Sequence, residues 1–415
     1  MTSQFPEQAA EPATPTPATP DGRWMSRGVA GIGSASFLAD VGHEIPTALL
    51  PFLLTSTLGA PAAALGVVEG LSDALAGAAR LAGGALADDP NRRRNVAVGG
   101  YTTTAVLGAA TAVATSVWQV GVLRAAAWTA RGLRVPARNA LLADIVPANA
   151  YGRAYGFERM MDNLGAIVGP LLAIALVATV GVQGAIGLSL IPGLLAAAAI
   201  IYAIHHTAKP ERRDKVPLRV KVRPVLRGDL GKLLAAIAAF EVGNVAATLL
   251  ILRATELLSP AHGATTATTI ALGLYVAYNA AATLASVPAG HLADRLGAHG
   301  PVRVLAGGVA VFAVAYALFA ANESAIALLA VPFVLAGIGI GAVETAQHAA
   351  VAALAPTELR GSAFGLLATV QSLGNLAASS IAGILWTLIS PSTAFAYLTI
   401  WMILAFIGLL ITARR

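Results

Sequence analysis

Gly84-Ala-Leu-Ala-Asp88 and Gly290-His-Leu-Ala-Asp294 are one phrase written twice, 206 residues apart. Two more echoes keep the same order and nearly the same offset. Asp40-Val-Gly-His43 returns as Glu241-Val-Gly-Asn244, 201 residues on. Ala154-Tyr-Gly-Phe157 with Leu164-Gly165 returns as Ala363-Phe-Gly-Leu366 with Leu373-Gly374, 209 residues on. Three ordered matches at nearly one offset mark a duplicated unit.

The charge distribution says what each unit is made of. Of 415 residues only 12% are charged and 57% are hydrophobic, and mean hydropathy is +0.73. Soluble domains carry about twice that charge. Residues 163–208 and 361–413 contain no Asp, Glu, Lys or Arg. A helical crossing needs about 20 apolar residues, so each run is long enough to cross a bilayer twice. Lipid admits only helices and closed barrels, and these runs are too long and too continuous for barrel strands. Twelve helices are expected, at 28–54, 62–87, 95–114, 117–139, 153–179, 184–205, 229–255, 265–290, 302–321, 324–351, 361–387 and 392–412.

The loops divide by charge. Arg92 to Arg94, Arg134, Arg138, Arg153, Arg295, Arg303, Arg360, Arg414 and Arg415 fall on one side, with a 206–228 segment holding eight Lys/Arg and two acids. Loops 55–61, 114–116, 181–183 and 390–392 are short and almost uncharged. Positive loops mark the cytoplasmic side, which places both termini there. The net charge of +6 is thus a topology signal and points to no nucleic acid. The expected fold class is all-α integral membrane, with two six-helix bundles related by a parallel pseudo-two-fold repeat. A disordered cytoplasmic tail (1–23) precedes an N-terminal bundle (24–205), a basic linker (206–228) and a C-terminal bundle (229–415). The tail assignment rests on five prolines within residues 1–22. The Ala-rich composition suggests a bacterial inner (plasma) membrane.

Several chemistries are absent. With no Cys there are no disulfides, thiolate metal sites or thiol nucleophiles. There is no Walker loop, no His-x-x-x-His pair and no Met-x-x-x-Met pair, so no cofactor and no metal are expected. Gly337-Ile-Gly339-Ile-Gly341 lies in an apolar helix and reads as close packing.

Gly84-Ala-Leu-Ala-Asp88 followed by Asn91-Arg92-Arg93-Arg94 resembles the loop between the second and third helices of the major facilitator superfamily. Asn91 stands where that loop usually has Gly. In the second copy Asp294-Arg295-Leu-Gly297 fits, while the basic pair has eroded to His299 and Arg303. Arg124 and Gly165-x-x-x-Gly169-Pro170 are similar to features of the proton-antiporter branch, although Ala127-Trp128, Ala173 and Ile174 depart from its pattern. The resemblance implies no enzyme. It implies a monomeric secondary transporter in which two bundles alternate access to a small-molecule substrate. Proton-coupled export of a drug or metabolite is one reading. The alternative is a proton-coupled importer, since the same acids would serve symport.

Charges at bilayer depth cost at least about 2.5–3.5 kcal/mol, so they face partners or a cavity. Asp40 and Glu44 lie one turn apart near mid-membrane and cannot both ionise cheaply, which suits a proton carrier. Against this stands a salt bridge to a neighbouring helix. Glu44 and Arg124 fall at comparable depth, so a pair between them is geometrically possible. Asp73, an i,i+4 partner of Glu69, and Asp162 are further proton-coupling candidates. His43, Glu241, Asn244 and Asn279 are expected to line the substrate cavity. Asp88, Arg92, Arg93, Arg131, Glu158, Asp294 and Glu344 are expected to form conformational gates. Gln371 and Asn375 are expected to bond neighbouring helices.

Overall fold

The computed structural model describes residues 24–207 and 219–413. The expected tail, linker residues 208–218, Arg414 and Arg415 lie outside the described residues. The first unit comprises α1 (Arg27–Phe52), α2 (Ala62–Ala87), α3 (Pro90–Ala110), α4 (Val117–Ile145), α5 (Tyr151–Leu188) and α6 (Leu190–His205). A short linker helix, α7 (Val222–Val225), leads into the second unit. That unit comprises α8 (Gly228–Glu241), α9 (Ala247–His262), α10 (Ala264–Arg295), α11 (Gly300–Ala320), α12 (Ile326–Leu354), α13 (Arg360–Leu388) and α14 (Pro391–Ala413). Helix boundaries follow local chemistry. Ser26 accepts the Val29 N–H to start α1, and Asp89 accepts the Asn91 N–H ahead of Pro90 at the start of α3. The positive φ of 72° at Gly181 separates the fifth span from the sixth within α5.

All twelve expected spans are helical, with one correction. The seventh is not a continuous helix over 229–255: it is unwound at residues 242–246, between α8 and α9. Side chains from other helices satisfy the freed backbone groups, as lipid depth requires. The Val245 N–H donates to the Tyr316 hydroxyl (3.3 Å) and the Ala246 N–H to Ser379 Oγ (3.0 Å), while Asn375 Nδ2 donates to the Asn244 carbonyl (2.9 Å). Hydropathy could not reveal this break, because Val242, Val245 and Ala246 keep the segment apolar on both sides of Gly243 and Asn244.

Among the described residues, seven helices are long and apolar enough to cross a membrane. One of the seven, Ala148–His205, holds both the fifth and the sixth span; the second and fourth carry intramembrane charges, the eleventh carries amides and the seventh has the break. Leu171, Ile174 and Leu284 are among the many exposed apolar side chains that form the bilayer-facing surface.

The most extensive packing between the bundles pairs α2 with α13 and α5 with α10, with α5 against α12 and α4 against α13 beside them. The two larger crossings depend on glycine. A Cβ on Gly361 would strike the backbone of Gly84, Ala87 and Asp88, and a Cβ on Gly290 would strike that of Gly152. Gly84 and Gly290 open the repeated phrase, and Gly152 and Gly361 each stand two residues before its Ala154 and Ala363 counterparts. They lie within about two turns of the helix ends that carry Asp88 and Asp294, called the basic end below.

Candidate functional site

At the basic end each repeat contributes one carboxylate to the other bundle. Asp88, at the end of α2, accepts the Ser362 N–H (2.8 Å) and the Ser362 hydroxyl (2.7 Å), with Lys221 Nζ at 3.5 Å. Asp294, at the end of α10, accepts the N–H groups of Gly152 (2.7 Å) and Arg153 (3.0 Å) and the Arg153 Nε–H (2.8 Å). These N–H groups open α13 and α5. They have no intrahelical acceptor and carry the positive end of the helix dipole, so each aspartate caps a helix of the opposite bundle. Asp144 adds a bridge: it pairs with Arg93 of its own bundle and with Arg360 Nη1 across the seam (3.0 Å). Arg360 Nη2 also donates to the Tyr151 hydroxyl (2.8 Å).

Deeper in the first bundle lies a buried charge cluster. Glu158 accepts from Arg138 (2.9 Å), Arg159 (2.7 Å) and Ser36 (2.6 Å). Asp162 faces the same two arginines at 3.4 and 3.1 Å, and Glu344 of the second bundle approaches Arg159 at 3.9 Å.

Further from the basic end, Arg131 Nη2 meets Asp40 Oδ1 at 3.3 Å. Arg124 holds Glu69 (2.9 Å) and Thr47 (3.1 Å) and stacks 3.6 Å over the Trp128 ring. Trp128 Nε1 donates to Asp73 (2.7 Å), and its ring packs 4.3 Å from His43. Glu44 Oε1 lies 3.5 Å from His43 Nε2. The geometrically possible Glu44–Arg124 pair is therefore not formed. Glu44 sits beneath Gly169 of α5, and the arginine reaches α2 instead.

In the second bundle the Glu241 carboxylate meets only amides. It accepts from Asn244 (3.0 Å) and Gln347 (3.0 Å), and Gln347 accepts in turn from Gln371 (2.8 Å). The repeat is visible at this depth as well. Gly165 packs on Asp40, and its counterpart Gly374 packs on Glu241.

A family model described as Major Facilitator Superfamily matches residues 32–254 and again 233–415. The chain belongs to the Major Facilitator Superfamily. An uncharacterized MFS-type transporter of Methanocaldococcus jannaschii is 28% identical over 94% of this chain and 95% of its own length. Among solved structures, a bacterial homologue of the iron transporter ferroportin in an outward-facing state shares the fold at TM-score 0.75. It has 15% identity and covers 94% of this chain and 100% of its own. The proton:xylose symporter XylE gives TM-score 0.67 at 15% identity, over 91% of this chain and 94% of its own. This superfamily member is thus a membrane-embedded secondary transporter with a small-molecule substrate.

The structure brings most of the singled-out residues into three groups. Asp88, Arg93, Asp294, Glu158 and Glu344 make cross-bundle or near-seam contacts. Arg92 instead lies beside Asp89 at 3.5 Å. Arg131 joins Asp40 rather than the charge cluster of Glu158. Asp40, His43, Glu44, Asp73 and Arg124 share the central face of the first bundle. Glu241 and Asn244 sit at the break, while Asn279 donates to the Tyr275 carbonyl one turn back on its own helix (3.0 Å). Sequence reasoning missed Asp144, Ser362 and Tyr151 at the seam and Thr47 beside Arg124. Ser362 stands immediately before the repeated phrase that begins at Ala363 near the start of α13, which was the available signal.

Proposed function

We propose that this transporter is a proton-coupled exporter of a small drug or metabolite, operating in a bacterial inner membrane with its basic end in the cytoplasm. On that reading, the closed seam at the basic end makes the described conformation outward-facing. The observation that carries the proposal is the Asp40–Arg131 pair at 3.3 Å, one turn from Glu44 and beside the Arg124–Glu69 pair. A buried carboxylate held by a single long contact to a guanidinium is a site where a proton and an arginine compete. A proton entering from outside would neutralise Asp40 or Glu44 and free Arg131. Rocking to the inward-facing state would expose the acid to the cytoplasm, where Arg131 and Arg124 would favour its ionisation. Solute bound on that side would then move outward on the return step.

The test is flux in proteoliposomes under an imposed pH gradient, with candidate cationic and neutral amphiphiles. Solute accumulation against its gradient, with protons moving the opposite way, is the expected result. Solute and protons moving in the same direction would make the protein a symporter. Gradient-insensitive flux would remove the proton from the mechanism.

A further inference from the structure

Arg134 differs from its neighbours on α4. Arg124, Arg131 and Arg138 each meet a carboxylate. Arg134 is only 3% exposed and has no hydrogen-bond acceptor or carboxylate partner among the described residues. Its guanidinium lies 4.0 Å over the ring of Tyr101, which is 1% exposed and whose hydroxyl is itself unpartnered. The Arg124 Nε–H is, after the Tyr101 hydroxyl, a second fully buried group here without a partner. All three side chains line one cavity between α1, α3, α4 and α6.

The lining has a definite polarity. It contains two guanidinium groups and no Asp or Glu. The hydroxyl hydrogens of its two threonines are already directed to backbone carbonyls: Thr104 to Gly100 at 2.7 Å and Thr111 to Gly108 at 2.6 Å. What remains is donor-rich and positive. Leaving such donors unmet in a low-dielectric interior is costly, and charge-assisted bonds to an anion would relieve it. The space open to the centre of a water-sized sphere is about 20 Å³. That admits roughly one water-sized particle.

We propose that this cavity binds a small monovalent anion of chloride size, held by Arg134, the Tyr101 hydroxyl and Arg124. The anion is the counter-charge of Arg134 and joins α3 to α4 behind the central face that carries Asp40. The site shares Arg124 with the proton route proposed above, and halide binding there can be read without any transport assay.

The experiment uses the purified full-length chain in detergent. Its melting temperature is followed as sodium chloride replaces sodium gluconate at constant ionic strength. A saturable rise with chloride is expected, reproduced by bromide and absent with gluconate. Tyr101→Phe removes one charge-assisted hydrogen bond and should raise the half-saturating chloride concentration by about tenfold. Arg134→Gln should abolish the response, and Lys232→Gln, an exposed control on α8, should preserve it. A parent protein indifferent to halide overturns the proposal, as does an Arg134→Gln protein that responds like the parent. If Arg134→Gln does not fold, Tyr101→Phe decides: an unshifted half-saturation overturns the site, and a shifted one supports it.

Discussion

Asp40 and Glu241 occupy equivalent places in the repeat, each beneath a glycine of the neighbouring span, yet their surroundings differ. Asp40 has a guanidinium partner and Glu241 has only amides. Changes at the two positions should therefore separate. Asp40→Asn or Glu44→Gln should abolish accumulation driven by a pH gradient while leaving downhill exchange largely intact, because the helices can still rock. Liposome flux measured both ways distinguishes this from a structural role, in which both activities would fall together. Glu241→Ala would strand the amide donors of Asn244 and Gln347 in the interior. Each buried donor without an acceptor costs about 1–3 kcal/mol, so a lowered melting temperature is expected. A protein as stable as the parent would show that these amides find other acceptors. The sequence exposed the acids at these sites because intramembrane charge is rare. It did not reveal their partners: depth allows Arg124 to meet Glu44, but depth says nothing about which way a side chain turns around the helix axis.

Helix ends carry the closure of the seam. Asp88 and Asp294 satisfy first-turn N–H groups that no other part of α13 or α5 can satisfy. Asn offers only one acceptor oxygen and no charge to the helix dipole, so Asp294→Asn should weaken the closed basic end by about 1 kcal/mol, roughly a fivefold shift in population. The close crossing of α2 and α13 is still less tolerant. Gly361→Val would drive a branched side chain into the backbone at Gly84 and Ala87, and the closed seam should no longer form. Labelling of Ser286→Cys, a buried position in the seam, reports both effects in an otherwise cysteine-free chain. It should be slow in the parent and faster in each variant; equal rates would show that the seam does not depend on these contacts. The spans themselves were readable from hydropathy, since length and charge exclusion suffice for a bilayer crossing. The unwound stretch of the seventh span was not readable. Its backbone is satisfied by Tyr316, Asn375 and Ser379, residues 71 to 133 positions away.

At the scale of the molecule, the pseudo-two-fold relation makes the seam doubly secured. The Asp88 site and the Asp294 site share no residue, so removing both caps should add the two effects. The same Ser286→Cys rates in the double variant check this, and a double variant no worse than the poorer single one would mean that one cap carries the seam alone. The repeat was legible because both copies kept their glycines and aspartates. The Arg93–Asp144–Arg360 bridge was not, because Asp144 belongs to no repeated phrase.

The position of this closure also has a mechanical meaning. The helix α10 has 32 residues and is about 48 Å long. Its close crossing with α5 lies near one end, so a tilt of roughly 10° there would carry the other end about 8 Å. The hydrogen bonds at the aspartates act on a short arm, whereas lipids pressing on the distal helix ends act on a long one. A modest lateral force far from the seam therefore exerts the torque of a much larger force at the caps, which gears the seal to the stress profile of the surrounding bilayer.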